Sequence, residues 1–494
     1  MPDLTIEDGL KKERLPNLFD RAVQFFERPY VLEVAMVVFI TVYALAYVQI
    51  LNGFWFEDDP LTLYTVTAAQ SPFQFFYDSQ YFESGTKHQV SPFLHLSLWI
   101  DAFFSKKIID AAYFHQYLAL LLSGFLFFKV TEKLFQNRIL AFVFSCSWVA
   151  MPATESVFEF NAARHYMEGM LMSLACFYCY QQASKEEDKK PQRIYFGFSL
   201  LFLCLAVFFK EIYAATALFL FFALCLIRKN IFGCLASLGI GGLYFLYRSW
   251  AVGTSIYYGA PLVMGKDLLK VLSHLPYILT ANAGGFFLVA VFVILSIYLL
   301  YKKLVPRLNM ALIYVMILLG AGVAYPVSFP LIYYWQVPGT YYRWCLLLNT
   351  IFLVSLFYLV SKLKGKLKEL LAILLVIPIA IGSYQTRNFF RAEKSKYEME
   401  ARAYLANDEK LFYSEVHAWF YLLGITQLFK LKEMHFISNS DHTPTWLTFD
   451  ALTGKYSTIW RLKDGKLVED RALYESIVEE YKKEKKKLPE KSKN

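Results

Sequence analysis

Two adjacent carboxylates, Asp58 and Asp59 in "FWFEDDPLTLY" (54–64), stand directly after an apolar run of membrane-spanning length. Like charges side by side repel, and they call for a proton, a cation or basic neighbours. Other ionisable residues cluster on the same side, His88 in the first loop and His115, Glu155, Arg164, His165, Glu168, Lys210, Glu211, Arg248 and Arg343 at the ends of other apolar runs. The histidines, lysine and arginines among them supply basic neighbours. Adjacent carboxylates facing arginines, lysines and histidines suit a phosphate-bearing substrate. One carboxylate can serve as general base, the other can hold a divalent cation, and guanidinium groups can grip phosphate oxygens in bidentate fashion. Magnesium or manganese fits oxygen ligands, but two aspartates make only part of a coordination shell, so the metal is optional. Each residue alone has a plainer role. A helix-end arginine such as Arg248 or Arg343 is commonly an interfacial anchor, and Lys210 can pair with Glu211. His115 can be a hydrogen-bonded packing residue, and Glu155 in "PATES" can be a helix N-terminal acid.

The elements that must position these groups are apolar. The 494 residues are 57% hydrophobic and 18% aromatic, too apolar for an ordinary soluble enzyme and far too long for one buried helix, so the chain reads as a polytopic membrane protein. Eleven runs can cross the hydrocarbon, near 30–51, 111–129, 138–151, 166–182, 194–209, 211–227, 231–247, 283–301, 308–325, 344–361 and 369–385. The first follows a polar segment, 1–29, with no small-residue cleavage site, and reads as a retained span. The net charge of +9 does not point to nucleic acid, because the basic residues fall in short alternate loops and the tail. Basic loops stay cytoplasmic, which puts the N-terminus inside and Asp58 and Asp59 in a long first outer loop, 52–110. Within that loop Ser91–Phe104 is short for a span and reads as an interfacial or re-entrant helix. The seven cysteines lie within or beside apolar runs and show neither disulfide nor metal spacing.

An odd number of spans places residues from 386 onward outside. Residues 386–480 read as a small α/β domain: a strand at Lys410–Ser414, a helix over His417–Phe429, a strand at Met434–Ser438, then strands meeting at the turn "KDGK". The basic end, 481–494, reads as disordered. The fold class expected is therefore an all-α polytopic membrane protein with a small extracytoplasmic α/β domain.

Six short segments, in order, resemble the GT-C superfamily of multi-spanning glycosyltransferases, and within it the transmembrane and tetratricopeptide-repeat-containing O-mannosyltransferases. "FWFEDDPLTLY" resembles the acidic-pair motif, with Asp58 and Asp59 at its two positions. "SPFLHLSLWI" is similar to the Arg-Pro-Leu segment and its short apolar helix, with Pro92 at the proline. "AYFHQYLALLLSGFLFFKVTEKLF" looks like the next span, opening on His115. "MPATESVFEFNAAR" resembles the following outer loop and places Pro152, Glu155 and Arg164, "FFKEIYAA" the Lys-Glu break at Lys210 and Glu211, and "YFLYRSW" the span ending at Arg248. The chain departs from the pattern at Ser91, where the family has arginine, at Met151, where it often has histidine, and at His165, where it tends to have aspartate; no tetratricopeptide period follows.

The resemblance implies a glycosyltransferase in the cytoplasmic (inner) membrane of a cell envelope, most simply a prokaryotic one, with its site on the outer side. It implies transfer of a sugar from a polyprenyl-phosphate donor to an acceptor hydroxyl on a glycan, lipid or protein. The donor phosphate would meet Arg164, Lys210, Arg248 or Arg343, while His88, His115, Glu155, His165 and Glu211 would line the acceptor side. Asp58 would take the acceptor proton, with inversion, and Asp59 would bind a cation or orient the acceptor. A flippase for lipid-linked glycans would also need outward-facing charge, but it calls for repeat symmetry and broken midplane helices, which the sequence does not display. A non-enzymatic membrane scaffold would leave the acidic pair without a task.

Overall fold

The computed structural model describes residues 28, 30–46, 59–78, 81, 90–104, 108–253, 279, 285–318, 340–407, 410–414, 436–438, 456–463 and 466–487. Asp58, His88, the helix expected over His417–Phe429 and residues 488–494 lie outside them.

The protein is mostly helical. In chain order the helices are α1 (Val31–Ala46), α2 (Asp59–Ala68), α3 (Gln74–Tyr77), α4 (Pro92–Phe104), α5 (Ile108–Phe135), α6 (Arg138–Val149), α7 (Pro152–Phe158), α8 (Arg164–Ala183), α9 (Lys189–Phe209), α10 (Glu211–Ala215), α11 (Ala217–Ile227), α12 (Ile231–Val252), α13 (Gly285–Tyr301), α14 (Arg307–Leu318), α15 (Leu346–Ser361), α16 (Lys366–Leu405) and α17 (Arg471–Lys487). Short 3-10 turns at Asn161–Ala163 and Thr340–Cys345 lead into α8 and α15.

Local chemistry sets many of the ends. Asn137 caps α6 by accepting from the Leu140 amide at 2.7 Å, Asp188 caps α9 through Lys190 at 3.0 Å, and Asn230 caps α12 through Gly233 at 3.0 Å. Where the sequence suggests one span over 138–151, Pro152 starts α7, its ring holds Met151 extended, and the chain bends by 53° between α6 and α7. Where it suggests one span over 211–227, the helix breaks at Thr216, whose hydroxyl bonds back to the Ile212 carbonyl at 2.6 Å.

Among the described residues three helices, α9, α12 and α16, are long and apolar enough to cross a membrane, and the bent pair α6 and α7 makes a fourth if taken as one span. Shorter apolar helices include α1, α4, α13, α14 and α15. Large apolar side chains point outward in rows: Val34, Val38 and Val42 on α1, Ile373, Ile377 and Ile381 on α16. A spacing of four keeps each row on one face, and such faces suit an apolar surrounding. Helix α4 has 13 residues, about 20 Å at 1.5 Å per residue, too short to cross about 30 Å of hydrocarbon. It packs against α2, α5 and α9.

Helix α16 differs from the expectation at 385. It continues for 40 residues, from its apolar first half into the charged run "RAEKSKYEMEARAYL", because that run is built of helix-forming Ala, Glu, Lys and Arg. It then delivers the chain to a four-stranded sheet of β1 (Phe412–Ser414), β2 (Phe436–Ser438), β3 (Ile459–Lys463) and β4 (Lys466–Asp470), in the order β2-β1-β3-β4. Strand β1 is parallel to both neighbours, and β3 and β4 form the antiparallel hairpin at "KDGK". Ser414 donates to Glu400 at 2.6 Å and ties the sheet to α16. Where a disordered tail is expected from 481, α17 continues to Lys487 through "EEYKKEKKK", a stretch rich in helix-forming Glu and Lys.

Candidate functional site

The segment after α7, Glu159 to His165, is the centre of the candidate site, and Glu159, Phe160, Ala162 and Arg164 each meet a different ionisable or polar partner. Gln116, fully buried on α5, holds the segment's entry by donating to the carbonyls of Val157 at 2.9 Å and Phe160 at 3.4 Å. The Ala162 amide donates to Asp59 Oδ1 at 2.7 Å, so the second aspartate of the pair, 1% exposed, is fixed at the first turn of α2. Asp59 is thereby an anchor as well as a site carboxylate.

Glu159 accepts from Lys394 Nζ at 2.5 Å, and the same ammonium donates to the Tyr113 hydroxyl at 2.7 Å. Lys394 and Glu159 are 4% and 2% exposed, which makes this a buried ion pair between α16 and the central segment. Tyr113 lies within electrostatic reach of both Asp59 and Glu159.

Arg164, read from the sequence as a phosphate ligand, is wholly buried and committed elsewhere. It pairs with Asp101 on α4, donates to Ser97 Oγ at 3.0 Å and donates to the Ala112 carbonyl at 2.6 Å. His115 completes this group, with Nδ1 2.9 Å from Asp101 Oδ1 and Nε2 3.2 Å from Glu168 Oε1. Ser97 donates to Glu168 at 2.5 Å. His115 is therefore a hydrogen-bonded residue that docks α4 onto α5 and α8, and Arg164 positions the segment instead of facing a ligand.

The remaining cations gather beside His165. Lys210, 2% exposed at the end of α9, sits with its ammonium 5.3 Å from the Tyr166 ring centroid. Burial pulls it down to about 8, Glu211 pulls the other way and Arg343 adds repulsion. Arg343, 9% exposed, places its guanidinium 4.3 Å from the Phe160 ring centroid. Glu211 does not spend its carboxylate on Lys210 alone: Oε1 accepts from Arg248 Nε at 3.1 Å and from the Val90 amide at 3.3 Å. Arg248 also donates to the Gly253 carbonyl at 3.1 Å. The buried His165 ring lies 4.5 Å from the Tyr166 ring centroid, and neither of its nitrogens makes a hydrogen bond of good geometry. Lys210 thus lies within electrostatic reach of both Glu211 and Arg343, and Arg248 shares the Glu211 carboxylate.

Glu155, 1% exposed on α7, stands apart from that cluster and accepts from Ser383 at 2.9 Å and from Tyr43 at 3.4 Å. Sequence reasoning passed over Asp101, Glu159, Lys394 and His95. Asp101 was visible as the lone acid in an otherwise apolar helix, and Lys394 was hidden by ending the last span at 385. His95, on α4, is buried against Phe75, with ring centroids 5.6 Å apart, and burial pulls its imidazole down to about 4, so it is neutral at pH 7. Among the described residues no three His, Cys, Asp or Glu side chains converge on a metal position.

The geometry thus joins a fixed aspartate, a clamped loop and a cluster of cations, two of them buried. Such an arrangement can hold an anion against the aromatic rings of Tyr166 and Phe160 and present it to groups near Asp59. No protein-family model matches this chain, and no curated protein matches it.

Proposed function

We propose that the protein is an integral membrane glycosyltransferase that takes a sugar from a polyprenyl-phosphate donor and transfers it to an acceptor hydroxyl on the extracytoplasmic side. The proposal includes the eleven-span topology, a cytoplasmic N-terminus, and a site and sheet domain on the outer face of a cytoplasmic membrane. The observation that carries it is the meeting of three cations, Lys210 and Arg343 buried and Arg248 half-buried, next to the segment that fixes Asp59. Cations held this close repel one another, and a bound anion relieves that repulsion. A phosphate diester supplies that anion, and the order of short segments similar to the GT-C superfamily supports its being a lipid-linked sugar phosphate.

In this mechanism the donor phosphate lies among Lys210, Arg248 and Arg343, near His165 and Tyr166. Asp58 removes the acceptor proton as the hydroxyl oxygen attacks the anomeric carbon from the face opposite the phosphate, which inverts the configuration. The bond from that carbon to the phosphate oxygen breaks, and polyprenyl phosphate leaves with the electron pair. Its charge is already met by the basic cluster, so no second carboxylic acid need protonate it, unlike paired-carboxylate glycoside hydrolysis. Asp59, held by Ala162, orients the acceptor and keeps the N-terminal end of α2 in place. Arg164, His115, Asp101 and Glu168 hold the segment that carries His165.

The test is binding of radiolabelled polyprenyl phosphate to the purified chain in nanodiscs. Wild type should bind it, and Arg343→Gln and Lys210→Met should each weaken binding at least tenfold. Equal binding by all three proteins would remove the phosphate site and the proposal with it.

A further inference from the structure

A second cleft opens between α1, α6 and α16 and shares no residue with the Lys210 cluster. It encloses about 520 Å³, a volume in the range of small-molecule sites. Phe39, Phe142, Val143, Val376 and Ile379 give it apolar walls, and one end is polar, with Tyr43, Ser383 and Arg387. The Tyr43 hydroxyl lies 3.0 Å from Ser383 Oγ, both hydroxyls bond to Glu155, and the Arg387 guanidinium stands 5.5 Å from the Tyr43 ring centroid. That end adjoins the candidate site. The Glu155 carbonyl accepts from the Glu159 amide at 2.9 Å, so the polar end is one helical turn from the segment that fixes Asp59.

The three parts ask for different pieces of one ligand. Apolar walls take a hydrocarbon chain. A guanidinium at the mouth takes a phosphate. Two hydroxyls, Tyr43 and Ser383, backed by the buried Glu155 carboxylate, exchange hydrogen bonds with a further hydroxyl. We propose that the acceptor is itself a membrane amphipath, a hydroxylated, phosphate-bearing lipid with one chain in this cleft and its headgroup against Arg387, Tyr43 and Ser383. The inference rests on the transferase reading and names its acceptor class. In the reaction the sugar's anomeric carbon passes from the donor phosphate oxygen to the headgroup hydroxyl oxygen, the hydroxyl proton goes to Asp58, and polyprenyl phosphate departs.

The experiment uses the full chain in nanodiscs and phosphatidylglycerol carrying a diazirine in one acyl chain, with the matching phosphatidylcholine probe as control. The phosphatidylglycerol probe should label peptides covering 139–151 and 376–387 at least fivefold more than the control. Ala380→Trp, at an exposed position on the lip of the cleft, should cut that labelling severalfold and leave polyprenyl-phosphate binding unchanged. Arg387→Gln should erase the preference for phosphatidylglycerol. Equal labelling by both probes, or labelling indifferent to Ala380→Trp, would mean boundary lipid and overturn the inference. Displacement of the label by polyprenyl phosphate would assign the cleft to the donor chain and overturn it too. A wild-type protein that binds no polyprenyl phosphate would instead overturn the transferase reading, and the acceptor role with it, whether or not the cleft is labelled.

Discussion

Breaking the buried pair between Lys394 and Glu159 should unseat the central segment. In Lys394→Met the methionine fills most of the lysine's volume, but the Glu159 carboxylate, 2% exposed, loses its ammonium, and the Tyr113 hydroxyl loses a donor at 2.7 Å. An unpaired charge at such depth costs about 3–5 kcal/mol. Glu159→Gln takes the carboxylate from the ammonium, which keeps the Tyr113 hydroxyl as acceptor, and should cost somewhat less. The double variant Lys394→Met/Glu159→Gln leaves no buried net charge, so most of the loss should return and the coupling between the two positions should exceed about 2 kcal/mol. The measurement is unfolding from detergent micelles by added dodecyl sulfate, followed by tryptophan fluorescence, for all four proteins. Single variants within about 0.5 kcal/mol of wild type, or a double variant whose loss is the sum of the two singles, would refute the reasoning. Either would mean that α16 does not clamp the segment through this pair.

Three further outcomes follow from the same geometry. Lys210 loses its charge as pH rises through about 8, so polyprenyl-phosphate affinity should fall by about five- to tenfold from pH 7 to 9 if one charged hydrogen bond of about 1.5–3 kcal/mol is lost; Lys210→Arg should flatten that profile. Asp59→Ala leaves the Ala162 amide without its acceptor and should cost about 1–3 kcal/mol in the same unfolding assay, while Asp59→Asn keeps an acceptor oxygen and should recover most of it. A Cβ at Gly169 would lie 2.2 Å from the Tyr213 ring, whose hydroxyl donates to the Tyr166 carbonyl at 2.5 Å, so Gly169→Ala should destabilise by about 1–3 kcal/mol and weaken phosphate binding beside Tyr166.

Features written in local chemistry were legible in the sequence. Pro152 after an apolar run announced a helix start, "KDGK" between two alternating stretches announced a hairpin, and a 13-residue apolar stretch in a charged loop announced a helix too short to span. What escaped were pairings between distant elements. Glu159 and Lys394 are 235 positions apart, and Tyr43 and Ser383 are 340 apart, so neither contact leaves a local pattern. Arg164 shows the converse error. Its place before a span suggested a ligand-facing cation, but Asp101 arrives from α4 and claims it, which only the tertiary arrangement reveals. The charged second half of α16 looked like the start of a separate domain because polarity rose there, although helix propensity did not fall.

The central claim is tested most directly by sugar transfer with purified protein in nanodiscs, using a panel of radiolabelled polyprenyl-phosphate sugars, wild type beside Asp58→Ala, each with and without chelator. The account predicts that wild type releases polyprenyl phosphate from one donor, that Asp58→Ala binds that donor but does not turn it over, and that the chelator arm reports whether a cation takes part. Turnover by Asp58→Ala near the wild-type rate would contradict the assignment of the base, and no turnover of any donor by a wild-type protein that binds them would contradict the enzyme itself.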